Sequence, residues 1–147
     1  MHRRFQVAGT LALLLLVITT AGCGSSKGGG SAKKAAVKPD STLAIEVGDM
    51  YIKPASTTVA AGNVKFDVTN KGAMPHEVVA LKTDTPADKL TVTNGRVSES
   101  DSVGEVADVA SKSSKSNVIK LEPGSYVLVC NIAGHYSAGM RVALKVT

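Results

Sequence analysis

The stretch SYVLVCNIAGHYSAGMRVALKV, residues 125–146, decides the fold. Its first six residues are almost continuously apolar. Its last six alternate Val142, Leu144 and Val146 with polar or small neighbours. A short continuous apolar run fits an interior strand, and strict alternation fits a strand with one buried face. Between them runs a loop of small residues that carries His135, with Cys130 and Met140 at its two ends. Four residues separate each of these from the next. A chain that leaves one strand and re-enters its neighbour can turn all three side chains toward one point.

The same period of two recurs upstream. NVKFDV (63–68) alternates Val64, Phe66 and Val68 against Lys65 and Asp67, and EVVALK (77–82) is a second continuous apolar run. Ala61-Gly62-Asn63, Asn70-Lys71-Gly72, Asn94-Gly95 and Glu122-Pro123-Gly124 punctuate these runs as turns. Residues 84–115 carry the weakest pattern. PADKLT suggests a helical turn, and the polar, glycine-interrupted remainder predicts an irregular excursion with one short helix or edge strand. Many short strands, frequent turns and no repeat together predict an all-β fold, an antiparallel β-sandwich.

The N-terminus reads as a targeting segment. His2, Arg3 and Arg4 precede a mostly apolar run from Val7 to Ile18, and small residues lead to Cys23. That is a signal peptide over residues 1–22, too short for an ordinary membrane span. TTAGC (19–23) resembles a bacterial lipobox, with Thr20 in place of the usual branched aliphatic residue. The resemblance implies that Cys23 is lipidated and anchors the exported chain to the outer face of the cell membrane or in the periplasm. Residues 24–40, GSSKGGGSAKKAAVKPD, follow as a flexible linker spanning roughly 23 Å. The folded unit is then expected over 41–147.

Charge excludes one class of partner. The chain's 17 basic and 12 acidic side chains give +5, but from Ser41 onward the two signs balance at 11 each. The surplus belongs to the leader and linker, so the domain has no electrostatic footprint for nucleic acid.

Cysteine usage sharpens the reading. Of two cysteines, lipidation consumes Cys23 and leaves Cys130 unpaired in an oxidising compartment. A buried thiol acting as a small hydrophobe is the bland explanation, and a Cys23–Cys130 disulfide is the alternative if Cys23 stays free. The neighbours of Cys130 argue otherwise. Beyond the leader the only histidines are His76 and His135. His76 directly precedes the apolar run at 77–82 and follows a turn, so it belongs at the same kind of sandwich end as the loop. A thiolate, two imidazoles and a weak thioether form the ligand set of blue-copper centres. Zinc also accepts Cys and His, yet it usually takes a second strong ligand instead of a methionine.

The pattern Cys130-x4-His135-x4-Met140, with an upstream histidine before a strand, resembles the ligand loop of the cupredoxin family, nearest in spacing to its rusticyanin-like bacterial members. The resemblance covers about residues 42–147 and is strongest over 63–82 and 118–147. It implies a Greek-key sandwich holding one copper, with His76 Nδ1, Cys130 Sγ and His135 Nδ1 equatorial and Met140 Sδ axial. It also implies one-electron transfer with transient redox partners by a monomer, and no enzymatic activity. A multicopper oxidase or nitrite reductase would need more histidines than this chain has. A copper carrier or sensor using the same ligands is the alternative, and a metal-free adhesion sandwich is the third reading.

Glu77 departs from the family, several members of which carry an asparagine or serine there that stiffens the ligand loops. Asn131 is expected to offer its backbone N–H to the Cys130 sulfur, and Tyr136 to shield the loop. Met50 and Met74 read as packing or surface residues.

Overall fold

A computed structural model describes residues 37–147; the leader, Cys23 and nearly all of the linker lie outside the described residues. The described residues form eleven strands: β1 (Ser41–Gly48), β2 (Tyr51–Pro54), β3 (Thr58–Val59), β4 (Gly62–Asn70), β5 (His76–Lys82), β6 (Val92–Thr93), β7 (Arg96–Val97), β8 (Ser102–Val109), β9 (Ser114–Leu121), β10 (Gly124–Val129) and β11 (Arg141–Val146). They form a four-stranded sheet, β2-β1-β4-β9, and a five-stranded sheet, β3-β11-β10-β5-β8, with β6-β7 as a separate hairpin. The two larger sheets make the expected all-β sandwich. It is not wholly antiparallel: β1 pairs β4 in parallel, and β3 pairs β11 in parallel.

The predicted alternation is visible in β4, where Val64, Phe66, Val68 and Asn70 are buried and the residues between them are half-exposed. From the facing sheet, Val78 and Ala80 of β5, Tyr126 and Leu128 of β10, and Leu144 and Val146 of β11 close the same core, and Cys130 and Met140 are part of it.

β5 and β10 are apolar on both faces for a reason visible only in three dimensions. Val79, Leu81, Val127 and Val129 point out of the sandwich and meet Val97, Tyr136, Ala87 and Leu90. The 84–97 segment therefore lies over the outer face of the five-stranded sheet, and strands covered on both faces lose their polar alternation.

The short helix allowed for in 84–115 is not there; no helix occurs among the described residues. Lys89 N–H donates to Pro86 O at 2.9 Å, closing a single turn. Ala87 and Leu90 then descend onto the sheet, a use of apolar residues that needs one anchored turn and no helical face. Asn94 and Gly95 take positive φ of 53° and 78°, the geometry of a two-residue hairpin turn that favours Asn-Gly. Residues 102–109, within the stretch expected to hold one short helix or edge strand, form edge strand β8, which buries only Val106 and Val109. Such sparse burial is why its strand pattern is faint. Gly104 has φ +151°, and a Cβ there would lie 3.1 Å from Ile119; the absent side chain lets β8 approach β9.

Candidate metal centre

Register brings three strand ends to one level. Val129, the last residue of β10, pairs with Val79 of β5 and with Arg141, the first residue of β11. His76 begins β5, Cys130 follows β10 and Met140 precedes β11, so all three lie at the same end of the sandwich.

The loop between Cys130 and Met140 is tightly wound. Cys130 N–H donates to Met140 O, and Met140 N–H donates to His135 O, each at 3.1 Å. Between them His135 N–H reaches Ile132 O at 2.9 Å and Ala138 N–H reaches Gly134 O at 3.0 Å. Gly134 and Gly139 supply positive φ of 86° and 122°, which side chains rarely tolerate. Upstream, the buried Asn70 shapes the approach to His76. Its amide donates to Met74 O at 2.7 Å and to Val109 O at 3.0 Å, while its oxygen accepts Gly72 N–H at 2.8 Å.

These constraints converge the donor atoms. Cys130 Sγ lies 3.4 Å from His135 Nδ1 and 4.0 Å from His76 Nδ1, and the three ligand atoms all fall within 4.8 Å of one another. An ion about 2.3 Å from a thiolate and about 2.0 Å from an imidazole, in a trigonal plane, sets sulfur and nitrogen about 3.7 Å apart. The two observed separations bracket that figure. The imidazole rings face each other with centroids 5.2 Å apart and planes tilted by 59°. His76, Cys130 and Met140 are fully buried, whereas His135 is half-buried. The donor set suits a single copper ion: sulfur and imidazole are its preferred partners, and one thioether does not complete a zinc site.

Burial sets the charge states. It pushes the Cys130 thiol above its ordinary range, opposed by the Glu77 and Ile132 backbone amides. Burial, and to a lesser degree the neighbouring His76, hold the His135 pKa below the usual imidazole value. Burial likewise raises the Glu77 carboxyl.

The Asn131 expectation needs correction. Its N–H donates to Glu77 Oε1 at 3.0 Å instead of to the Cys130 sulfur. β5 and β10 are neighbours, and the carboxylate reaching across from β5 is a stronger acceptor than a thiol. Glu77, the departure from the family pattern, thus supplies its own cross-link between the two ligand-bearing strands. The Asn131 side chain works elsewhere: its oxygen accepts Val97 N–H at 2.8 Å, and its amide donates to Val97 O at 3.0 Å and Glu99 Oε1 at 2.6 Å. Arg96 donates to Asn131 O, and Gly134 N–H donates to Gly95 O at 2.8 Å. The β6–β7 hairpin is thereby stapled to the ligand loop. Tyr136 does shield it, nearly buried, donating to Ala87 O at 2.8 Å and accepting Leu90 N–H at 3.0 Å.

Sequence reasoning missed Asp49, Arg96 and Glu99. Asp49 Oδ1 lies 3.0 Å from His76 Nε2, though 27 residues separate the two. A lone acid in a turn gives no linear signal of such a partner.

The family model described as a cupredoxin-like domain matches residues 12–143. The chain belongs to the cupredoxin-like family. No curated protein matches it. Among solved structures, this cupredoxin is similar to auracyanin B, at 23% identity over 76% of this chain and 91% of that one, with a TM-score of 0.58. It is similar to the auracyanin of Roseiflexus castenholzii at 17% identity, over 75% and 99%, with a TM-score of 0.56. Rusticyanin from Thiobacillus ferrooxidans matches at 15% identity over 76% and 84%, with a TM-score of 0.54. At these identities the likeness establishes the fold, the cupredoxin sandwich anticipated from the ligand-loop spacing.

Asn131→Ala would strand the buried Val97 N–H and C=O, at a cost of about 1–3 kcal/mol each. The expected result is a lower urea midpoint together with faster amide exchange at Val97 and Gly134. Unchanged exchange at both amides would contradict the staple.

Proposed function

We propose that this chain is a type 1 blue copper electron-transfer protein, in which His76 Nδ1, Cys130 Sγ, His135 Nδ1 and Met140 Sδ would hold the copper ion. One observation carries the reading: the chain's lone thiol within the described domain and both of its imidazoles direct donor atoms into one space. A bound copper ion would supply a one-electron Cu(II)/Cu(I) couple.

The remaining contributions come from the protein. The sandwich carries three of the donor residues at the ends of hydrogen-bonded neighbouring strands, which would limit rearrangement when an electron arrives. Burial keeps water from His76, Cys130 and Met140. The half-buried His135 edge is the approach side, where Ala133, Gly134 and Ala138 are exposed and Met74 keeps 39% of its surface. Small and apolar residues permit close, brief contact of the kind redox encounters use. Auracyanin A of Chloroflexus aurantiacus, which matches at 16% identity and a TM-score of 0.51, is described as a "blue" copper protein. The alternative of a copper carrier or sensor fares less well, because delivery favours exposed ligands and three of the four donors here are fully enclosed.

The proposal extends to location. The leader and the lipobox-like TTAGC motif support export and attachment through Cys23, with residues 24–40 as a tether and the domain as a monomer reached by transient partners. Cys23→Ser should move the protein from membrane to soluble fractions of the expressing cell. Membrane retention of that variant would refute the anchor.

Titrating the purified protein with Cu(II) should produce an intense visible charge-transfer band and saturate at one ion per chain. Cys130→Ser should lose the band; a blue Cys130→Ser protein would refute the ligand assignment. Affinity should also depend on pH. The Cys130 pKa is raised, so the thiol is protonated through neutrality and uptake must release its proton. Apparent affinity should then rise about tenfold per pH unit between about pH 7 and 8. Protonation of His135, whose pKa is held low, should steepen the slope further at acid pH. A competition titration with no pH slope would contradict thiolate ligation.

A further inference from the structure

His76 is fully buried, yet its outward ring nitrogen is not left to the core. Nε2 lies 3.0 Å from Oδ1 of Asp49, which sits in the two-residue turn between β1 and β2. The carboxylate is held from a second side as well. Ala73 N–H donates to Oδ2 at 2.9 Å and Met74 N–H to Oδ1 at 3.4 Å. Those amides belong to the loop that delivers His76, so one acid ties the β1–β2 turn, the 71–75 loop and the ring together.

Gly72 keeps the contact open. A Cβ at that position would lie 3.0 Å from His76 Nε2 and closer still to the Asp49 oxygen. The space between acid and imidazole therefore depends on a residue without a side chain.

An ionised carboxylate only accepts hydrogen bonds, so the nitrogen facing it must carry the proton. Both Asp49 oxygens already accept backbone N–H groups, the acceptor role of a carboxylate. With the proton on Nε2, the Nδ1 lone pair is free on the side facing Cys130. Partners of this kind fix ring tautomer and orientation and make the ligand nitrogen more basic.

We infer that Asp49 is a positioning residue for the metal centre: its carboxylate locks His76 in the Nε2–H form and lowers the reduction potential by favouring the more highly charged Cu(II). This rests on the copper reading for the potential, but not for the tautomer. The alternative is that Asp49 merely caps the 71–75 loop. Asp49→Asn discriminates, because its amide oxygen can still accept from His76 Nε2–H while the charge, and the second oxygen facing Ala73 N–H, are removed.

Two measurements on the full chain test the inference. In copper-loaded protein, Asp49→Asn should keep its blue band while losing about tenfold of the preference for Cu(II) over Cu(I). That change is a rise of about 59 mV for one electron, read by voltammetry. An unchanged or lowered potential in a blue Asp49→Asn protein overturns the charge role. In metal-free protein at about pH 8, above the ordinary imidazole range, nitrogen NMR should show His76 as the Nε2–H tautomer. Asp49→Ala should shift it to a mixture, and retention of the single tautomer overturns the positioning role. Absence of a blue band in the wild-type protein would sink the copper reading while leaving the tautomer measurement decisive for Asp49.

Discussion

Closure of the loop between Cys130 and Met140 is the constraint on which the site depends. The bond from Cys130 N–H to Met140 O continues the β10–β11 ladder one step past its last strand pair, from Val129–Arg141 to Cys130–Met140. The intervening residues must then turn back within a fixed span. Tight turns and two glycines of positive φ make that possible, and His135 is left at the crown. The sulfur and the thioether are consequently carried by the backbone of adjacent strands, and only His135 depends on loop conformation. His76 arrives from β5, the other neighbour of β10, so no candidate donor comes from an unsupported segment.

Such a site costs free energy to build. A buried imidazole without a partner would lose roughly 2–7 kcal/mol of solvation, and the thiol is raised by the same removal from water. The surroundings offset this with polar groups aimed inward. Asp49 meets the outer nitrogen of His76, the Glu77 and Ile132 amides face the sulfur, and Asn70 satisfies carbonyls beside the 71–75 loop. Among the described residues no buried side-chain polar atom lacks a partner. The ligand end of the sandwich is thus a complete hydrogen-bond network around a small group of donor atoms.

The outer face of the five-stranded sheet explains the 84–97 segment. Val79, Leu81, Val127 and Val129 would face solvent without it. Ala87, Leu90 and Val97 cover them, and Tyr136 links that cover to the ligand loop through Ala87 and Leu90. Asn131 adds a second link, so the least regular part of the described chain both shields the sheet and braces the loop between Cys130 and Met140.

What the residues alone determined was periodic or chemically scarce. Alternation in β4 and β11 named the sandwich because side chains on a strand point to opposite faces with period two. One unpaired cysteine beside two histidines and a methionine named the candidate site, since few other donors of that softness exist in the chain. Tertiary structure alone decided the rest. The parallel pairings of β1 with β4 and β3 with β11, the absence of a helix near Pro86, and the choice of edge strand over helix at 102–109 all arise from what packs against each segment. Asp49, Glu77 and Asn131 acquire their roles the same way. A hydrogen bond requires two groups to meet in space, and the distance between them along the chain carries no trace of that meeting.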